Sequence, residues 1–106
     1  MAEKIFVSAK LYYDLGLYGG NNYKACVVTA ENMLKEYPDS KFREDAVFLI
    51  LKAKAKEAQL SVAEKQKERY SEVVDEYYRY VNEFQNGKYV KEAGRILKEA
   101  RHVVDN

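Results

Sequence analysis

Apolar residues recur three and four positions apart through most of the chain, the spacing of one face of an α-helix, and this periodicity predicts five helices. The first, about Glu3–Leu17, sets Ile5, Ala9, Tyr12 and Gly16 on one stripe with Phe6 and Tyr13 beside it. Gly19-Gly20-Asn21 should stop it, because glycine takes the backbone angles that end helices and asparagine tolerates them. The second runs from an Asn22 cap to about Tyr37 and turns Cys26, Val27, Ala30, Met33, Leu34 and Tyr37 inward. Pro38 cannot continue it, so Pro38-Asp39-Ser40 reads as a tight turn.

The third helix, Lys41–Gln59, buries Phe42, Ala46, Leu49, Ile50 and Ala53. Ser61-x-x-Glu64 has the form of a capping box and opens a fourth helix, Val62–Phe84, carrying Tyr70, Val73, Val74, Tyr77, Val81 and Phe84. No glycine or proline enforces a break near Leu60, so one bent rod is the alternative; the capping box favours the break. Asn86-Gly87 should end the fourth helix. The fifth, Lys88–Val104, has the cleanest amphipathic pattern, with Tyr89, Ala93, Ile96, Leu97, Ala100 and Val104 on one face.

An internal repeat organises these helices. Residues 31–46 (ENMLKEYPDSKFREDA) align with 78–93 (YRYVNEFQNGKYVKEA) at a shift of 47, with Glu36/Glu83, Lys41/Lys88 and Ala46/Ala93 identical. Met33/Tyr80, Leu34/Val81, Tyr37/Phe84 and Phe42/Tyr89 agree in character. Each copy ends a helix in an aromatic, turns, and restarts with lysine, an aromatic and, four residues later, alanine. Tetratricopeptide repeats have this grammar at a usual period of about 34, and the long third and fourth helices account for the excess here. Tyr12-x-x-Leu15-Gly16 matches the bulky-x-x-Leu-Gly signature of a first repeat helix, and Cys26 stands where a small residue usually sits. The fold expected is all-α, with tetratricopeptide-like antiparallel helix pairs, about five helices in a right-handed superhelical stack. As one helical-repeat domain over residues 1–106, it divides into a repeat at about 3–38, a second at about 41–85 and a terminal helix at 88–104.

Composition narrows the function. With 47% hydrophobic and 33% charged residues the chain is globular, and its 106 residues suffice for one small domain. A net charge of +1 gives no overall field to recruit nucleic acid or a lipid surface. The longest apolar run, Ala46–Leu51, is too short to span a bilayer. Met1–Phe6 lacks the apolar core of a signal peptide. Cys26 is alone, so it is read as a small residue packed in a helix.

The segments AKLYYDLGLYGGNNYKACVVTAENMLKEYPDSKFREDAVFLI and VAEKQKERYSEVVDEYYRYVNEF resemble the C-terminal part of the BamD family, tetratricopeptide-repeat lipoproteins of the outer-membrane β-barrel assembly machinery. Tyr12-Tyr13, Tyr23-x-Ala25, Tyr37-Pro38-Asp39-Ser40 and Glu68-Arg69-Tyr70 before Tyr77 carry the likeness, over about residues 9–100. The resemblance implies a fragment of a longer parent that carries an export signal and a lipid anchor, the parent's only attachment to the membrane. It implies a scaffold at the periplasmic face of the outer membrane that binds the periplasmic POTRA region of BamA and other assembly subunits, and that helps receive unfolded outer membrane proteins. A generic repeat adaptor for another protein is the alternative.

Catalytic chemistry has no visible foothold. His102 is the sole histidine and has no orienting partner in sequence. The pairs Glu44-Asp45 and Asp75-Glu76 point about 100° apart on a helix and read as solvated faces. Gly16-x-x-Gly19-Gly20 follows a helix, not a strand, so it is no phosphate loop. No catalytic, cofactor or metal residue is expected. Lys52, Lys54, Lys56, Lys65, Lys67 and Arg69 make a locally basic stretch, but alternation with alanine spreads the lysines around the helix, so nucleic acid is not the expected partner.

The ten tyrosines carry more information. Tyr37, Tyr70, Tyr77 and Tyr89 fit core positions, whereas Tyr13, Tyr18, Tyr23, Tyr78 and Tyr80 fall off the main stripes or at loops. Exposed tyrosine suits an interface, although burial against neighbouring repeats would select the same residues. The expected partner-binding residues are Tyr13, Tyr18, Asn22, Tyr23, Arg69 and Tyr78.

Overall fold

The computed structural model describes all 106 residues as five helices and no strand: α1 (Ala2–Leu15), α2 (Asn22–Glu36), α3 (Arg43–Gln59), α4 (Ala63–Glu83) and α5 (Val90–Val104). Each helix packs on the next through a short connection, which makes neighbours antiparallel. Contacts also run from α1 to α3 and from α3 to α5. The odd-numbered helices therefore share one face of a slab measuring 42 × 36 × 19 Å, about two helices thick. The all-α stack of paired helices expected from the sequence is the architecture present.

α3 is the centre of the slab. It is flanked by α2 and α4 and touched by α1 and α5, so it must be apolar nearly all round. The six consecutive residues Ala46–Leu51 are all buried, with Ala53 and Ala58. A single stripe described only one side of this helix; Val47, Phe48 and Leu51 fill the others.

The period of 47 is written into the backbone. α2 and α4 end 47 residues apart, at Glu36 and Glu83, and α3 and α5 begin 47 apart, at Arg43 and Val90. The capping residues Tyr37 (φ −131°, ψ 65°) and Phe84 (φ −122°, ψ 66°) share one conformation, as do Phe42 and Tyr89. Four backbone hydrogen bonds recur at the same shift: Tyr37 N–H to Met33 O, Ser40 to Tyr37, Arg43 to Ser40 and Ala46 to Phe42 are matched by Phe84 to Tyr80, Gly87 to Phe84, Val90 to Gly87 and Ala93 to Tyr89.

The two corners differ in how they satisfy one orphan donor. Phe42 N–H bonds the Ser40 hydroxyl at 3.0 Å. The equivalent Tyr89 N–H bonds the Tyr80 hydroxyl at 2.9 Å, which itself donates to Glu44 Oε2 at 2.7 Å. The same Glu44 oxygen accepts from Lys88 N–H at 2.8 Å. Pro38 stiffens the first corner; in the second, where Gln85 replaces it, this side-chain network does so. Gly87 makes room for it, since a Cβ there would stand 2.6 Å from the Tyr80 hydroxyl oxygen.

Several element ends move from their expected places. α1 stops at Leu15 because Gly16, at φ 57° and ψ −117°, turns the chain four residues before Gly20. The cap of α2 is Asn21, whose side chain accepts from Lys24 N–H at 3.2 Å, and not Asn22. No capping box forms at Ser61: its hydroxyl donates to Glu57 O at 2.6 Å, closing α3, and Val62 opens α4 without a side-chain cap. α4 ends at Glu83, ahead of Asn86-Gly87, because Phe84 already takes the corner conformation. The break between α3 and α4 is present. Tyr37 is 37% exposed instead of inward, its hydroxyl accepting from the N-terminal amine at 2.8 Å. Tyr80, expected off the stripe, is wholly buried.

Gly16 is buried, and a Cβ there would meet the Tyr23 hydroxyl oxygen at 2.9 Å. Gly16→Ala combines that collision with a left-handed backbone, so it should cost about 1–3 kcal/mol. A thermal melt followed by circular dichroism is expected to show this loss, whereas Gly94→Ala, whose Cβ would meet nothing within 4 Å, is expected to melt no lower than the parent chain.

Candidate functional site

The shared face of α1, α3 and α5 carries two joined depressions. One, of about 190 Å³, is walled by Phe6, Lys10, Asp45, Phe48, Leu49, Lys52, Tyr89 and Glu92. The other, of about 310 Å³, is walled by Tyr13, Lys52, Ala55, Lys56, Gln59, Glu92, Ile96 and Glu99. Lys52 and Glu92 belong to both, so the two form one groove crossing three helices.

Packing at the core fixes the groove's floor. The rings of Phe48 and Tyr89 stack at 4.3 Å with a 4° interplanar angle. Phe6 stacks on Phe42 at 5.5 Å, and Tyr13 meets Tyr23 edge-on at 5.6 Å. The Lys52 ammonium lies 4.7 Å from the Tyr13 ring centroid and 5.8 Å from that of Phe48, held by the negative faces of both rings. Lys10 sits 5.7 Å from the Phe6 centroid. Lys10, Lys52 and Lys56 make no ion pair within the chain, and neither does Glu92 on the opposite wall. The groove therefore offers an aromatic floor, a cationic wall from α1 and α3, and an acidic wall from α5.

Tyrosine hydroxyls anchor carboxylates on both sides of the groove. Tyr70 donates to Glu99 at 3.0 Å, and Tyr89 donates to Asp45, which also pairs with Lys88 at 3.1 Å. Burial, reinforced by these carboxylates, pushes both phenols up to about 12. Tyr13 is likewise raised, chiefly by burial and then by its neighbour Tyr23. Cys26 is buried beneath this region, and burial pushes its thiol up to about 12, so it is held as an unreactive thiol at neutral pH.

The opposite face, built by α2 and α4, is an ion-pair lattice. Arg79 forks onto Glu31 with two bonds of 3.1 Å and reaches Glu76 at 3.4 Å. Glu76, only 8% exposed, also takes Lys54 at 3.0 Å, and Arg43 grips Glu83 with both sides of its guanidinium. Of these pairs Arg79–Glu31 joins the two repeats, while Arg43–Glu83 and Lys54–Glu76 tie α3 to α4 within the second.

The expected partner residues fall in three places. Tyr13 lines the groove. Tyr23 and Arg69 line a small pocket with Asn21, Leu17 and Leu60, where the α1–α2 and α3–α4 connections meet. Tyr18 is 83% exposed on the first of these connections, and Asn22 bonds that residue's carbonyl at 2.7 Å, so Asn22 holds the loop. Tyr78 lies apart, against Arg101 on α5. Phe6, Lys10, Phe48, Lys52, Glu92 and Ile96 had not been assigned to a site. The signal was available in α3, where Lys52 and Lys56 stand one turn apart just after the buried run Ala46–Leu51, while Lys54 turns to Glu76.

No group of three or more His, Cys, Asp or Glu is placed to hold a metal ion, and no helix is long and apolar enough to cross a membrane. No protein-family model matches the chain, and no curated protein matches it significantly.

Proposed function

We propose that the chain is a noncatalytic helical-repeat scaffold that holds another polypeptide in the groove across α1, α3 and α5. The observation that carries this reading is Lys52, an unpaired cation fixed between two aromatic rings where both depressions meet, facing an unpaired Glu92. Fixed charges of both signs over an aromatic floor suit a peptide segment with apolar side chains and mixed charge. They set orientation more than affinity.

The sequence resemblance to the BamD family supplies the setting of this proposal: the periplasmic side of the outer membrane, with the POTRA region of BamA as docking partner and assistance to outer membrane protein insertion as the role. Calorimetric titration of the chain with BamA's periplasmic domains tests it. Association is expected, and Lys52→Glu is expected to weaken it at least tenfold with helical content unchanged. The absence of any association removes the barrel-assembly setting. A generic adaptor is the second reading, favoured by the duplicated corner and the mixed-charge groove, which any peptide-binding helical repeat can share.

A further inference from the structure

α1 is apolar on both sides. Its inner face, with Ala9 at the centre, packs on α2 and α3, yet Val7 and Leu11 are each 58% exposed and Leu15 is 40% exposed on the opposite side. These three stand one helical turn apart and form a continuous stripe. Lys4 and Asp14 are exposed at its two ends, and neither forms an ion pair within the chain. They lie ten residues apart, about 15 Å along the axis.

We propose that this stripe is the interface of a closed homodimer in which α1 packs antiparallel on α1 of a second copy. The charge pattern selects the occupant and its direction. Lys4 and Asp14 are centred on position 9, and so are Val7 and Leu11. One two-fold axis at the level of position 9, on the face opposite the buried Ala9, therefore sets Lys4 against Asp14 of the second copy, Asp14 against its Lys4, and Val7 against its Leu11, all at once, with Leu15 at the rim beside its Glu3. A parallel pairing instead sets lysine on lysine and aspartate on aspartate.

Head-to-tail stacking is disfavoured as well. The outward face of α5 presents Lys91, Arg95, Lys98 and His102, a mainly basic surface whose apolar side chains, Tyr70 and Val103, line a depression near the helix's C-terminal end and form no stripe to match α1. Association through α1 thus closes at two copies instead of propagating into a fibre. The groove side of α1, carrying Phe6, Lys10 and Tyr13, points away from the stripe, so the dimer keeps two open grooves.

One helix face is small beside a standard interface, so the expected dissociation constant is on the order of 100 μM. Sedimentation equilibrium of the full chain from about 10 μM to about 1 mM is expected to show a monomer–dimer equilibrium and no higher species. Leu11→Asp, at an exposed position, is expected to abolish it with an unchanged helical spectrum. Lys4→Asp alone, and Asp14→Lys alone, are each expected to weaken the dimer roughly five- to tenfold, and the double exchange Lys4→Asp/Asp14→Lys is expected to restore it. A chain that stays monomeric at about 1 mM overturns the proposal, as does a dimer indifferent to Leu11→Asp or not rescued by the double exchange.

Discussion

Tyr80→Ala should leave the chain close to unfolded at room temperature. The ring is wholly buried among Phe48, Phe84 and Tyr89, with centroid distances of 5.6, 5.5 and 6.5 Å. Deleting a buried aromatic side chain costs about 3–5 kcal/mol through lost transfer energy and the cavity left behind. A domain of this size has only about 5–15 kcal/mol in total. The loss is larger here than packing alone implies, because the hydroxyl ties α3 to the α4–α5 corner. Without it, Tyr89 N–H loses its acceptor and Glu44 loses one of its two donors. Tyr80→Phe isolates that second effect: it keeps the ring and should cost about 1–3 kcal/mol for the unsatisfied donor. Urea denaturation of both variants is the measurement. If Tyr80→Phe matches the parent chain, the hydroxyl bridge contributes nothing and the corner stands on ring packing alone.

Tyr80 also marks the limit of what periodicity reveals. On α4 the apolar stripe runs through Tyr70, Val73, Tyr77, Val81 and Phe84, and a tyrosine beside it reads as a half-exposed position. The residue is buried because α3 and the α4–α5 corner close over that flank, and because Glu44 and Tyr89 supply polar partners that make a buried phenol tolerable. Glu44 lies 36 residues away in sequence, and Tyr89 comes into reach only when the α4–α5 corner folds back. The 47-residue shift, by contrast, was legible and does correspond to geometry: aligning Met33 with Tyr80 named the position in both corners that faces the next helix. The alignment located the site in the fold, and only three-dimensional packing disclosed its burial.

The groove was less legible than the fold for a related reason. Its residues come from helices that are not consecutive, and each helix contributes only a few. Tyr13 was identified from sequence because it lies off the stripe of α1. Lys52 was passed over because lysines that alternate with alanine and spread around a helix read as a solvated outer surface. The helix separates them by about 200° per pair of residues, sending Lys54 to Glu76 and leaving Lys52 and Lys56 on the groove side. Helix ends were misplaced where side-chain chemistry competed with the backbone signal, as at Ser61, whose hydroxyl closes α3 instead of opening α4.

Raising the pH should unfold the chain cooperatively between about 10 and 12, with helix loss and tyrosine ionisation occurring together. Burial, aided by Glu99, pushes the Tyr70 phenol from 10.0 up to about 12, and burial aided by Asp45 does the same for Tyr89. Tyr80 is raised by burial and Glu44, Tyr13 by burial and Tyr23, and the Cys26 thiol rises from 9.0 to about 12 by burial. Each of these groups therefore holds its proton more tightly folded than unfolded. Stability then falls as pH rises, because the folded state binds more protons than the unfolded chain. The contribution is fully present below the unfolded values of 9.0 and 10.0 and is lost as pH passes through the folded values near 12. The effect is steep because five such groups share one core and must be exposed by the same event. Far-ultraviolet circular dichroism and phenolate absorbance, recorded on one sample from neutral pH upward, are expected to give a single coincident transition. Tyr70→Phe removes one linked proton and should flatten it. Phenolate forming in full while the helix signal persists would show that these hydroxyls ionise without unfolding, and that the three tyrosine–carboxylate bonds joining α3, α4 and α5 do not hold the helices together.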